Sequence, residues 1–302
     1  MGGGDETTTW PRWRTEAGRA KYLAAYEAAL KDWPVPYEEL DVETGLGPTH
    51  VVASGPRDAP PLILLPSFAA TALVWRPNVE AFSQTRRVFA IDVIGQPGKS
   101  AARRRIRGRG DYAGWLAETL DGLGVARAPL AGCSFGAFLA ASQALATPQR
   151  VERLVLIGPV GVFSAMSWRV ALQMRTAPWR RRLARLTGDR PAPKPSALHA
   201  RAAPLHAEDA GWRRLMGAAM AESPKASVTR APAFSRADLA RIAAPTLLLI
   251  GEHERLYEPH ATLARALERM PGLEAEIVPD ADHIAAMAQP EWVNGRLAGF
   301  LE

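Results

Sequence analysis

The stretch AGCSFG, residues 131–136, sets two potential nucleophiles, Cys133 and Ser134, side by side between Gly132 and Gly136. The apolar run APLA precedes it and the helical run GAFLAASQALA follows. In a strand–turn–helix setting, Gly-x-Ser-x-Gly reads as a nucleophile elbow. The central residue is forced into a strained backbone conformation, and the flanking glycines let strand and helix approach without a Cβ clash. Ser134 then projects its hydroxyl at the C-terminal end of a sheet, where open α/β sheets place their sites. An oxyanion formed there faces a helix N-terminus. Cys133 points the other way and reads as a small buried hydrophobe.

Working outward, the chain alternates strands and helices. YEELDVET and THVVASG are short alternating runs joined by a turn at Gly45, Gly47 and Pro48, so they read as a hairpin. PLILLPS, RVFAIDV, APLAGC, ERLVLIG, APTLLLIG and LEAEIVP are apolar runs of strand length, most of them suited to burial on both faces. Helical spacing is present at 14–31, 111–123, PHATLARALERM and PEWVNGRLAGFL. The expected fold class is α/β, a mostly parallel central sheet with helices on both faces. The division expected is an N-terminal tail and helix over 1–35, a core over 36–161 and 241–302, and a helical cap over 162–240.

That cap span has no convincing strand and is rich in proline. It carries 14 Lys+Arg against 5 Asp+Glu, a net +9, which leaves −3 for the rest of a chain whose total is +6. A solvated amphipathic surface is the plainer reading of that charge, and steering of an anionic substrate the sharper one. No nucleic-acid motif accompanies it, so nucleic acid is not expected as a partner. One cysteine excludes an internal disulfide framework and argues against a cysteine zinc site. No signal peptide or membrane span is read from the sequence, so a cytoplasmic location is expected. Oligomeric state is left open.

A serine hydroxyl is a poor nucleophile without a positioned base. Among the six histidines, His283 falls in EIVPDADHIAAMAQP, the loop after the last strand, where this kind of sheet places the base. A histidine base needs a carboxylate on its other nitrogen. Glu252, Glu254 and Glu258 follow APTLLLIG, and Glu254, three residues past Gly251, is the candidate. Glu252 suits the turn itself, and Glu258 precedes a proline at a helix start. The other possible acid position, after LVLIG, holds Pro159, Val160 and Gly161 and no carboxylate. The order Ser, Glu, His is that of the elbow-bearing hydrolases.

At this point the chain resembles the α/β-hydrolase superfamily, and within it the bacterial carboxylesterase NP (naproxen esterase) type. The likeness runs from THVVASGPRDAPPLILL to EWVNGRLAGFL and is most specific in VFAIDVIGQPGKS, GEHERLYEPHATL and AEIVPDADHIAAMAQPEWVN. It implies ester hydrolysis through an acyl-enzyme, with no cofactor and no metal. The family nucleophile, acid and base fall on Ser134, Glu254 and His283. By position, the oxyanion-hole amides fall on Phe68 and Phe135. The family's His-Gly after the third strand is replaced by Pro66 and Ser67, which puts the aim of the Phe68 amide in question. The usual glycine before the base is Asp282, a residue that tolerates left-handed backbone angles. It is either a turn residue or a second charge beside His283.

The first reading is therefore a serine esterase for a small-molecule substrate. A non-hydrolytic tailoring enzyme of the same fold (cyclase, lyase or rearrangement catalyst) is the alternative, because fold alone does not fix function. A binding protein is disfavoured by the presence of all three triad residue types. A haloalkane dehalogenase would need a carboxylate in place of Ser134. Trp168, Met174 and Trp212 in the cap span are the candidate substrate-binding residues and suggest an apolar acyl or aryl pocket. Ser134 is expected to form a covalent adduct with an organophosphonate. Cys133→Ala should leave that labelling intact and Ser134→Ala should abolish it, as read by mass spectrometry.

Overall fold

The computed structural model describes residues 9–165, 167, 172, 210–222 and 233–302. Helix α1 (Glu16–Leu30) comes first, capped by the Thr15 side chain. The hairpin β1 (Tyr37–Thr44) and β2 (Gly47–Ser54) follows, with Thr44 opposite Gly47 at its end. Then come β3 (Pro61–Leu65), α2 (Arg76–Ser83), β4 (Arg87–Ile91), α3 (Arg109–Gly122), β5 (Ala128–Cys133), α4 (Phe135–Ala146) and β6 (Val151–Ile157). After the described helices of the span 162–240, α5 (Ala210–Glu222) and α6 (Arg236–Ala240), come β7 (Thr246–Gly251), α7 (Pro259–Arg269), β8 (Glu274–Val278), α8 (Ala285–Ala288) and α9 (Pro290–Leu301). Among the described residues no helix is long and apolar enough to cross a membrane.

The eight strands form one sheet in the order β1-β2-β4-β3-β5-β6-β7-β8. β1 and β2, and β2 and β4, run antiparallel, and every other neighbouring pair is parallel. The strands expected from the sequence are all present. The helix α2 and the 3-10 turn Ala72–Trp75 before it were not expected. They are short, and their apolar positions Leu73, Trp75, Val79 and Phe82 make too few turns for a helical period to stand out.

Strand alternation divides the core into two layers. Ile63 and Leu65 of β3, Leu130 of β5 and Leu248 and Ile250 of β7 pack with Trp115, Leu116 and Leu120 of α3 and Phe138 of α4. Leu62, Leu64, Ala131, Leu247 and Leu249 face the other way, against Tyr22 and Tyr26 of α1, Val79 of α2 and Leu297 of α9. Each fully buried large side chain contributes about 1.5–3 kcal/mol, so both layers are needed to offset chain entropy. Cys133 falls in the second layer, fully buried.

The sharpest local constraint is at the β5–α4 corner. A Cβ built on Gly136 would lie 2.1 Å from the Leu65 carbonyl oxygen, and one on Gly132 would lie 2.3 Å from the Gly136 carbonyl. Both obstacles are backbone, which cannot step aside. Gly136→Ala is expected to cost about 3 kcal/mol or more in urea unfolding, as overpacked sites do. Gly295→Ala, on the exposed side of α9 with nothing within 4 Å of the added methyl, should instead gain about 0.5–1 kcal/mol.

Candidate active site

Ser134 sits between the last residue of β5 and the first of α4 with φ 53 and ψ −106. A non-glycine residue at positive φ costs roughly 1–2 kcal/mol. It is held there by its own N–H, which donates to the Ile157 carbonyl at 2.8 Å, and by its carbonyl, which accepts from the Phe138 N–H at 3.2 Å. Strain fixed from both sides aims the hydroxyl outward from the sheet edge.

His283 reaches this point from the β8–α8 loop. Its Nε2 lies 2.7 Å from Ser134 Oγ, and its Nδ1 lies 2.6 Å from Glu254 Oε2. All three residues are buried. A carboxylate only accepts, so Nδ1 carries the proton toward Glu254 and Nε2 is left to accept from the serine hydroxyl. The loop can come this close because the residue that follows β6 is Gly158, at φ 54. A Cβ there would meet the His283 carbonyl at 2.6 Å.

Glu254 owes its orientation to its own loop. Oε1 accepts from the Arg255 N–H at 2.7 Å and the Leu256 N–H at 2.8 Å, which leaves Oε2 for the histidine. The other two glutamates of the segment have different partners. Glu252 accepts from the Asp280 N–H at 2.9 Å. Glu258 caps α7 through the N–H groups of His260 and Ala261. Asp282 is buried, and its Oδ1 accepts from the Ile284 N–H at 3.3 Å, which makes it a turn residue. The left-handed residue of this loop is Asp280, φ 57, at the corner where Glu252 accepts the Asp280 N–H.

Cys133 is excluded from the nucleophilic role on electrostatic grounds as well as by direction. Burial, with added repulsion from Glu254 and Asp282, pushes its thiol far above the usual range. A thiolate is the reactive form of cysteine, so this thiol is inert.

Phe68 and Phe135 lie next to each other, rings edge to face at 6.1 Å. Phe135 is the first residue of α4, where helix N–H groups have no intrahelical acceptor. Phe68 is the second residue of a turn closed by the Ala70 N–H on the Ser67 carbonyl at 3.1 Å. Its ring is 47% exposed, beside the nucleophile corner. Trp212 of α5 is buried in the layer that also holds Tyr22 of α1. Trp168 and Met174 lie outside the described residues. Among the described residues no group of three metal-ligating side chains is gathered.

A parallel sheet with an antiparallel hairpin at one edge, and a serine–histidine–carboxylate line at its strand ends, is the arrangement of the α/β hydrolases. Comparison with known proteins agrees. Residues 60–194 match the family model described as alpha/beta hydrolase fold. Carboxylesterase YbfK of Bacillus subtilis is 34% identical over 93% of each chain. The crystal structure of naproxen esterase (carboxylesterase NP) from Bacillus subtilis superposes with a TM-score of 0.80 at 29% identity, covering 94% of this chain and 98% of that one. The crystal structure of carboxylesterase CesB (YbfK) from the same species gives 0.79 at 31% identity, covering 95% and 99%. The chain belongs to the α/β-hydrolase family, in its bacterial carboxylesterase branch.

The three glutamates separate in a direct test. Glu254→Gln keeps an oxygen for the two backbone donors but turns an NH2 toward Nδ1, which forces the wrong tautomer. Its kcat is expected to fall by about 10³–10⁴ with the melting temperature little changed. Glu258→Gln should leave kcat alone and cost at most about 1 kcal/mol of helix capping, and Glu252→Gln should do less.

Proposed function

We propose that the protein is a serine carboxylesterase whose nucleophile, base and acid are Ser134, His283 and Glu254. The observation that carries this is the unbroken line of short contacts, 2.7 Å from serine to histidine and 2.6 Å from histidine to glutamate. All three groups are buried.

In this reading His283 Nε2 takes the Ser134 proton as Oγ attacks the acyl carbonyl. Glu254 holds the tautomer and stabilises the imidazolium that forms. The tetrahedral oxyanion is received by the N–H groups of Phe68 and Phe135, in the field of the α4 N-terminus. His283 then returns the proton to the leaving alcohol. Water enters by the same route in reverse and releases the acid, with no cofactor or metal taking part. The span 162–240 serves as the cap over the pocket, and Trp168, Met174 and Trp212 are assigned to its apolar lining. Support for that lining is their side-chain chemistry together with the exposed Phe68 ring beside the nucleophile. The substrate is a small ester with an apolar acyl or aryl part. A free, fully buried cysteine fits a cytoplasmic location.

The test is hydrolysis of short-chain aryl esters by the wild type and Ser134→Ala, with fluorophosphonate labelling alongside. Turnover and labelling in the wild type, with at least a 10³-fold loss in Ser134→Ala, are expected. A folded wild type that labels at Ser134 yet turns over no ester would move the reading to non-hydrolytic chemistry.

A further inference from the structure

Away from the nucleophile corner, a second buried histidine stands between two carboxylates. His50 of β2 is 3% exposed and meets Tyr26 of α1 edge to face at 5.8 Å. Its Nε2 lies 2.9 Å from Glu39 Oε2 of β1, and its Nδ1 lies 3.3 Å from Asp92 Oδ2 at the exit of β4. A neutral imidazole has one donor nitrogen and one acceptor nitrogen, and a carboxylate only accepts. In either neutral tautomer one ring lone pair therefore faces a carboxylate oxygen. Only the imidazolium offers a proton to both.

The groups around the ring favour the charged form. Lys99 is the other cation of the cluster. Its ammonium pairs with Glu39 and, at 2.6 Å, with Glu27 of α1, and it stands 5.1 Å over the Tyr26 ring. Burial, with repulsion from Asp92, pushes the phenols of Tyr22 and Tyr26 far above their usual range, so both stay neutral. Asp41, opposite His50 in the strand register, is exposed. Glu27, Glu39 and Asp92 are thus set against Lys99, and a charge on His50 brings the cluster closer to balance. Burial works against that charge, but the bonds to Asp92 and Glu39 outweigh both burial and the repulsion from Lys99, and the ring holds its proton to higher pH than an ordinary histidine.

Helix α1 rests on this cluster. Tyr22, Tyr26 and Leu30 bury its inner face, and Glu27 ties it to Lys99. It also carries α5: Trp212 and Leu215 share its apolar layer, and Gly18 leaves no room for a Cβ against the Glu222 carboxylate. We propose that the imidazolium of His50 is a pH-sensitive lock on α1: when the proton leaves, Glu39 and Asp92 face a neutral ring, and α1, with α5 against it, opens more often. The lock does not depend on the chemistry at Ser134. Its stabilisation is complete below the ordinary histidine value of about 6.5 and is lost as the pH rises through the higher value that His50 has in the folded chain. Within that window opening rises by at most about tenfold per pH unit, and beyond it opening levels off.

The test is amide hydrogen exchange from about pH 5 to about pH 10, corrected for the intrinsic rate, with the histidine ring signals followed by NMR over the same range. It uses the wild type, His50→Gln and Glu39→Gln. The signal missing from His50→Gln is that of His50. In the wild type it is expected to titrate above the ordinary value, and exchange in α1 and α5 to rise through the same pH while α9, on the same face of the sheet, stays flat. In His50→Gln, exchange in α1 should already be raised at low pH and should no longer change with pH. Glu39→Gln removes one carboxylate at an exposed position, so the His50 titration and the rise in α1 exchange should move to lower pH together. A residue that merely fills space would not produce that joint shift. If His50→Gln does not fold, the ring signal displaced in Glu39→Gln is that of His50, and the joint shift decides.

A His50 signal that titrates at or below the ordinary value, α1 exchange that keeps step with α9 at every pH, a pH dependence that survives in His50→Gln, or an unmoved midpoint in Glu39→Gln would overturn the proposal.

Discussion

Gly136 presses its α-carbon against the carbonyls of Leu65 and Pro66, and the site depends on that contact. It brings the first turn of α4 under the end of β3, so the loop that follows β3 arches over the residue that follows β5. β3 and β5 are paired in parallel, with Leu65 opposite Gly132, and both chains leave the sheet at the same edge. A Cβ at 136 would lie 2.1 Å from the Leu65 carbonyl oxygen, well inside contact distance, so any side chain there would push the two apart. Ser134 and the loop after β3 are neighbours because one residue has no side chain.

The other groups are fitted to that corner by short local bonds. Glu254 is oriented by the two amides that follow it in the chain, and His283 by the narrow space between the ends of β6 and β7. A Cβ on Gly251 would meet the Asp282 carbonyl at 2.2 Å, as one on Gly158 would meet that of His283. Asp92 is fully buried and acts as a brace, accepting the N–H groups of Ala72 and Lys99, with His50 Nδ1 3.3 Å from its Oδ2. Lys99 in turn pairs with Glu27 of α1 and Glu39 of β1. Charge is thus used to fasten loops to the sheet.

Most of this was legible in the sequence because it is carried by strong local patterns. Apolar runs of strand length mark the sheet, and the glycine spacing around Ser134 marks the elbow. Position after a strand end picks out Glu254 and His283, and the structure brings both within hydrogen-bond reach of their neighbours. What could not be read depends on pairs distant in the chain. Gln96 looks like a loop residue until Ala69 is seen 27 positions earlier with its N–H turned toward it. The left-handed residue near the base lies at Asp280, since it is the Glu252 carboxylate, on another strand's exit, that stabilises the corner there. Helix α2 is masked by its brevity and by the proline at its start.

The span between β6 and β7 leaves and returns at adjacent strands. At its base the Phe234 N–H donates to the Gly161 carbonyl at 3.1 Å, and Phe234 lies edge-on to Phe138 of α4 at 5.4 Å. A loop whose two ends are already clasped on the core adds little closure entropy when its length changes, since that cost grows only with the logarithm of length. The catalytic line hangs from other strand ends and from other loops. Evolution can therefore treat the segment between the clasped ends as an exchangeable cassette, so that on the proposed reading new substrates are tried by recombining or resizing it while Ser134, His283 and Glu254 are inherited unchanged.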